Sequence, residues 1–177
     1  MEISFEKITS PASIPLEIKE LYHSAFPECE RRDWSELCLR VNPQDPVFNF
    51  HVIKHNSEPV GFITLWNLPG ALYCEHFAIL DSMRGKGLGS DVIKKTLEFA
   101  GEKALVLEVE LPEESAAAAS RVKFYQRCGM IAMEDFPYWQ PPYRAGQSEF
   151  PLMLMTSRPL PDPTSFVMIL HTVVYNQ

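Results

Sequence analysis

No apolar run in this 177-residue chain approaches the ~18 residues that a membrane-spanning helix needs. The N-terminal MEISFEKITS also lacks the basic-then-apolar order of a secretory leader. Basic residues are in short supply: 16 Lys and Arg stand against 23 Asp and Glu, leaving a net charge of −7. Phosphate backbones are bound by an excess of Lys and Arg, so nucleic acid is excluded as the main partner, while a cationic or amine-bearing partner is compatible. Cysteine is scarce and scattered. Cys29, Cys38, Cys74 and Cys128 form no C-x-x-C pair, which argues against a disulfide framework or a zinc site and for reduced thiols in a cytoplasmic protein. His51 and His55 are four apart, but on an expected strand and hairpin end instead of a helix, so no metal is expected there. Internal repeats and disordered tracts are absent. What is present is 46% hydrophobic and 22% charged residues, the balance of an ordinary soluble globular chain of one-domain length.

The chain is organised around Ala71 to Gly101, ALYCEHFAILDSMRGKGLGSDVIKKTLEFAG. Ala71 to Leu80 reads as an apolar strand interrupted by Glu75 and His76. Arg84-Gly85-Lys86-Gly87-Leu88-Gly89 reads as a loop. A helix follows with apolar residues at Leu88, Val92, Ile93, Leu97 and Ala100, the rhythm of one buried face, and Gly101 stops it. Before this unit the pattern predicts a strand over Ile3 to Ile8 and a helix from Pro15 to Phe26. A second helix is predicted from Glu30 to Val41, with a charged, exposed lead-in Glu28-Cys29-Glu30-Arg31-Arg32. Strands follow over Phe48 to Lys54 and Pro59 to Trp66, joined by His55-Asn56-Ser57-Glu58.

After the central unit, Ala104 to Leu111 alternates as a strand, Ala116 to Cys128 is a helix closed by Gly129, and Met130 to Met133 starts a strand. Pro137 to Tyr143 is rich in proline and reads as a surface loop, whose Tyr138, Trp139 and Tyr143 are aromatic candidates for an acceptor pocket. Phe150 to Thr156 is the last strand of the main body. Pro-rich 158–163 then leads to a short apolar segment, read as a helix with Thr164 or Ser165 as its cap, expected to dock on the body or on a second subunit as a homodimer contact. The expected division is therefore a domain over residues 1–156 and a C-terminal extension over 157–177.

The loop's chemistry follows from its residues. Glycines leave backbone N–H groups uncovered, so an anion can approach the main chain closely. The start of the next helix adds unsatisfied donors and the positive end of its dipole, and Arg84 and Lys86 add two cations. A strand, loop and helix with these parts form a cradle for a phosphate or pyrophosphate. The order of Lys and Gly rules out a Walker loop, and the Gly-x-Gly-x-Gly spacing with a mid-chain position rules out a Rossmann fingerprint.

What the loop fits is Arg/Gln-x-x-Gly-x-Gly/Ala, present as Arg84 to Gly89. This resembles the acyl-coenzyme A pyrophosphate loop of the GNAT N-acetyltransferase superfamily, and the order of elements from about Ile3 to Thr156 is similar to that family's. The resemblance implies an α/β (α+β) fold with a mixed central sheet of about seven strands flanked by about four helices. It implies an enzyme that moves an acetyl group from acetyl-CoA, as cosubstrate and without a metal, to a primary amine on a small molecule or protein. The alternative on the same fold is a catalytically silent acyl-CoA sensor.

It further implies that the backbone of Phe77, Ala78 and Ile79 holds the acetyl–pantetheine portion. The amides of Arg84, Gly85, Lys86, Gly87, Leu88, Gly89 and Ser90 would hold the pyrophosphate. Tyr125, within Phe124-Tyr125-Gln126-Arg127-Cys128-Gly129-Met130, would be the general acid that reprotonates the thiolate. Where many relatives carry an Asn seven residues earlier, this chain has Ala118. Glu75, a carboxylate set in an apolar strand, either faces the cleft as the base or sits at an edge in solvent; His76 is expected to be structural.

Overall fold

The computed structural model describes residues 2–177. Ile3–Lys7 (β1) pairs antiparallel with Phe48–His55 (β2), which pairs antiparallel with Glu58–Leu68 (β3). The β2–β3 connection is two residues and not four. Asn56 (φ 51°) and Ser57 (φ 73°) both take the left-handed conformation, which matches the twist of the flanking strands. Between β1 and β2 lie the helices Leu16–Ala25 (α1) and Trp34–Arg40 (α2). Pro15 and Pro27 bracket α1, and Ile18, Leu21 and Tyr22 are its buried face.

The second helix is shorter than its pattern predicts. A single 3-10 turn covers Glu28–Glu30, Arg31 is extended, and Asp33 stands at the helix N-terminus. The lead-in is not an exposed charged stretch throughout: Arg32 is only 3% exposed. Its guanidinium is drawn inward, as described below, and an extended backbone is what lets it reach there.

Ala71–Ile79 (β4) is followed by Leu88–Ala100 (α3), and Gly101, at φ 60°, ends that helix. Then come Ala104–Val109 (β5), Ala116–Arg127 (α4), Ile131–Ala132 (β6), Tyr138–Gln140 (β7), Phe150–Thr156 (β8) and Pro163–Val174 (α5). The sheet therefore has eight strands, one more than expected, in the order β1-β2-β3-β4-β5-β8-β6 with β7 also on β8. Among the described residues five α-helices accompany it, the four expected in the main body and the one expected in the C-terminal segment.

The extra strand is β7, in the stretch read as a loop. Its three residues fall between Pro137 and Pro141, and it pairs with β8 through Tyr138–Leu152, Trp139–Pro151 and Gln140–Phe150. Prolines that would break a central strand merely bound one this short. Tyr138 and Gln140 are buried, and Trp139 is exposed on the other side.

Two compact units divide the chain: Met1–Asn67 with Cys74–Lys95, and Leu68–Tyr73 with Thr96–Gln177. The first has a core rich in aromatics. Phe50 stacks on Phe62, with ring centroids 5.5 Å apart, Tyr22 and Phe26 also contact Phe62, and His76 packs against both Tyr22 and Phe26. The second is built on Leu105, Val106 and Leu107 of β5, Leu152 to Met155 of β8, and Phe166, Leu170 and Val174 of α5. That last i, i+4, i+8 stripe is the helical reading of the C-terminal segment. Its cap is Asp162 and neither Thr164 nor Ser165: the Ser165 amide donates to Asp162 Oδ1 at 3.0 Å, with Pro163 in the first turn. Among the described residues, no helix is long and apolar enough to cross a membrane.

His51 is buried on β2, and burial, reinforced by the charge of Lys7, pushes its pKa from 6.5 down to about 4. The unfolded chain thus takes up this proton near pH 6.5 and the folded chain only near pH 4. Stability from neutral His51 is full above pH 6.5 and falls as pH drops toward 4, by up to about 1.4 kcal/mol per pH unit. Urea unfolding from pH 7 to pH 4.5 should therefore show a shallower loss of stability in His51→Gln than in the wild type.

Candidate active site

The loop between β4 and α3 is built to stay open. Leu80 opens a 3-10 turn over Asp81–Met83; its first residue, Asp81, pairs with Arg84 at 2.9 Å, while Arg84 Nε donates to the Ile79 carbonyl at 3.2 Å. Gly85 and Gly87 take φ of 75° and 80°, and a Cβ on either would meet no atom within 4 Å. Left-handed backbone is what makes glycine necessary here, and the empty space above it is what a ligand could fill. Arg84, Lys86 and Ser90 are exposed, and Leu88 is buried and anchors the helix start. The Gly87 carbonyl accepts from the Ser90 and Asp91 amides at 3.1 and 3.3 Å, beginning α3 there. Helix geometry leaves the first-turn N–H groups unpaired and concentrates positive potential at this end. The donor set suits an anionic pyrophosphate.

Directly before the loop, Phe77 is half-buried and Ala78 and Ile79 are buried. Here β3 comes unusually close to β4: a Cβ on Gly61 would lie 2.3 Å from the Ala78 carbonyl oxygen. Only glycine permits that approach, so Gly61 helps set the path of the Phe77 to Ile79 segment of β4.

Glu75 is neither solvent-facing nor at an edge, since its side chain is 0% exposed. Arg32 Nε and Nη2 both lie 3.0 Å from Glu75 Oε1, and Trp66 Nε1 donates to Oε2 at 2.9 Å. The Trp66 ring also receives the guanidinium groups of Arg32 and Arg40, at 5.3 and 5.0 Å from its centroid. The Arg32 backbone carbonyl in turn accepts from the Tyr22 hydroxyl at 3.0 Å, and burial pushes that phenol well above its ordinary pKa, so it stays a neutral donor. His76 Nε2 is 2.9 Å from the Glu30 carbonyl, and burial pushes its pKa down, keeping the ring neutral. The sequence reading missed Arg32. The signal available was that a carboxylate inside an apolar strand needs a cation, and two arginines stand in the neighbouring stretch.

Tyr125 sits on α4 and is buried. That helix starts at Ser115, whose Oγ accepts from the Ala118 amide at 3.0 Å, and ends where the Tyr125 carbonyl accepts from Cys128 and Met130, each at 3.0 Å, ahead of Gly129 at φ 88°. Ala118 is itself buried, so its position offers no side-chain amide. A further carboxylate, Glu108 on β5, was not singled out from sequence; Tyr138 and Tyr175 donate to it. Among the described residues, no group of three or more His, Cys, Asp and Glu is placed to hold a metal ion.

Residues 16–130 match the Acetyltransferase (GNAT) family. The chain belongs to this family. Among solved structures it is similar to a GNAT-family protein from Bacteroides thetaiotaomicron, at 30% identity and a TM-score of 0.86, covering 100% of this chain and 99% of that one. It is also similar to a GNAT acetyltransferase from Elizabethkingia anophelis with acetyl-CoA bound (15% identity, TM-score 0.58, 89% and 98% covered). A mutant of spermidine N-acetyltransferase from Vibrio cholerae resembles it to a similar degree (13% identity, TM-score 0.64, 87% and 92% covered). At those identities the last two show the shared fold. No curated protein sequence matches.

For this GNAT chain the buried Glu75–Arg32 pair yields a direct test. Removing one partner of a buried pair strands the other's charge, at a cost of about 3–5 kcal/mol. Arg32→Met should therefore lower the urea midpoint sharply, and adding Glu75→Leu should restore most of the loss. A double variant no more stable than the single one would show that the charge pair is not the cause.

Proposed function

We propose that this protein transfers the acetyl group of acetyl-CoA to a primary amine by direct attack. The observation that carries the reading is the open cradle of Gly85 and Gly87 at the start of α3, with Arg84 and Lys86 at its rim. In this reading the amides from Arg84 to Ser90 bind the pyrophosphate, and the backbone of Phe77, Ala78 and Ile79 holds the acetyl–pantetheine arm. Tyr125 gives its phenol proton to the departing sulfur, so that coenzyme A leaves as the thiol.

Glu75 needs a revised role. Its oxygens are engaged by Arg32 and Trp66, and those hydrogen bonds occupy lone pairs that a base would offer to an incoming proton. Those contacts support a holding role, tying the segment before α2 to β4. The closed carboxylate and Ala118 are also the features that favour the rival reading, an acyl-CoA-binding protein without turnover.

Thiol release from acetyl-CoA across amines, amino acids, polyamines, aminoglycosides and peptides separates the two readings, with acetyl-CoA binding followed in parallel by thermal shift. Gly87→Glu, which puts a side chain and a negative charge in the cradle, should abolish the acetyl-CoA-induced rise in melting temperature. Tyr125→Phe should lower kcat by roughly 100-fold or more while the affinity for acetyl-CoA stays within about twofold. Normal turnover in the phenylalanine variant would remove Tyr125 from the mechanism.

A further inference from the structure

Neighbouring residues of a strand point their side chains to opposite faces, and Glu75 and His76 do not. Glu75 Oε1 accepts from Arg32 Nε at 3.0 Å, and His76 Nε2 lies 2.9 Å from the carbonyl of Glu30 in the same segment between α1 and α2. His76 Nδ1 is 3.8 Å from Glu75 Oε2, and the His76 ring packs on Tyr22 and Phe26. Phe62, Thr64 and Trp66 of β3 share this face, Phe62 against Tyr22 and Trp66 on Glu75. Two successive side chains on one face mark a β-bulge, an added residue in β4.

Thr64 stands opposite that added residue. The His76 amide donates at 3.0 Å to the Thr64 side-chain hydroxyl oxygen. Thr64 is 0% exposed and His76 2%, so bulk water does not reach this bond. The Thr64 oxygen, carried out from the main chain on Cβ, reaches an amide that the displaced ladder leaves behind. Four residues further along β4, the Leu80 amide donates at 2.9 Å to Val60, which is four residues back along β3. The two strands therefore keep step from His76 to Leu80. Peptide groups alternate between the two edges of a strand. His76, Ala78 and Leu80 turn theirs toward β3, in agreement with the Ala78 carbonyl beside Gly61, and Phe77 and Ile79 turn theirs to the other edge. Without the added residue the two sets would exchange places.

We propose that Thr64 is a positioning residue. Its hydroxyl pins the bulge at Glu75 and His76, and thereby presents the peptide groups of Phe77 and Ile79 to the acyl arm of acetyl-CoA. The inference rests on the acetyltransferase reading above; it adds which peptide groups hold the arm and what aims them.

The experiment uses the full chain and two ligands that share one end. Acetyl-CoA carries the acyl arm, and 3′-phosphoadenosine 5′-diphosphate carries the pyrophosphate without it. Both are titrated calorimetrically against wild type, Thr64→Val and Thr64→Ser. Valine has threonine's shape but no acceptor, so Thr64→Val should weaken acetyl-CoA binding roughly 10-fold or more. The same variant should bind the armless nucleotide within about twofold of wild type. Thr64→Ser keeps the oxygen and should bind both ligands within about threefold of wild type. A general loss of structure would weaken both ligands together, so their ratio separates positioning from folding. Thr64→Ala also removes the oxygen and carries the same expectation, which stands if the valine variant fails to fold.

The proposal is overturned if Thr64→Val binds acetyl-CoA with wild-type affinity, or if it weakens both ligands equally. It is also overturned if Thr64→Ser weakens acetyl-CoA binding as much as Thr64→Val does. Wild-type protein that binds the armless nucleotide as tightly as acetyl-CoA overturns it too, because no peptide group of β4 then holds the arm. Wild-type protein that binds neither ligand defeats the acetyltransferase reading itself, and this proposal with it.

Discussion

Glu75 is a full negative charge inside a strand that is otherwise apolar, and leaving it unanswered would cost more than most single contacts in a domain return. Arg32 answers it at 3.0 Å. To do so, the chain between α1 and α2 must run extended and close to β4, which shortens α2 to seven residues and brings Trp66 into contact with two guanidinium groups. The same segment is held by the Tyr22 hydroxyl and by His76 on the Glu30 carbonyl. A single buried charge therefore sets the shape of the N-terminal helical region, more than local helix propensity does.

The cradle beside it obeys a different rule. Its geometry comes from backbone freedom: two glycines in left-handed conformation with open space above them, followed by a helix whose first turn points donors at that space. Gly61 acts on the neighbouring strand through the opposite property, an absence of space that excludes any side chain opposite Ala78. Glycine is used once to leave room and once to permit contact.

The two carboxylates divide along physical lines that residue type alone cannot reveal. Glu75 is closed off and paired with a cation, while Glu108 is partly open and held by neutral phenols. The first has the character of a structural tie. The second ties β5 to β7 and to the end of α5 through phenol hydroxyls.

What the sequence determined by itself is what local chemistry determines. The Arg84 to Gly89 spacing marks the anion loop; period-2 patterning places β2, β3, β5 and β8 to within a few residues; and the 3.6-residue rhythm marks α1, α3, α4 and, less strongly, α5. These signals lie within a dozen residues of one another, so no folding is needed to see them. Tertiary structure alone decided the rest. Arg32 reads as a solvated charge until a strand 43 residues away supplies its partner. Tyr138 reads as loop until β8 offers it a ladder, and Glu108 reads as one polar position in an alternating strand until tyrosines from 30 and 67 residues away meet at it. Burial and pairing are properties of the assembled chain, because both depend on which distant groups arrive at the same place.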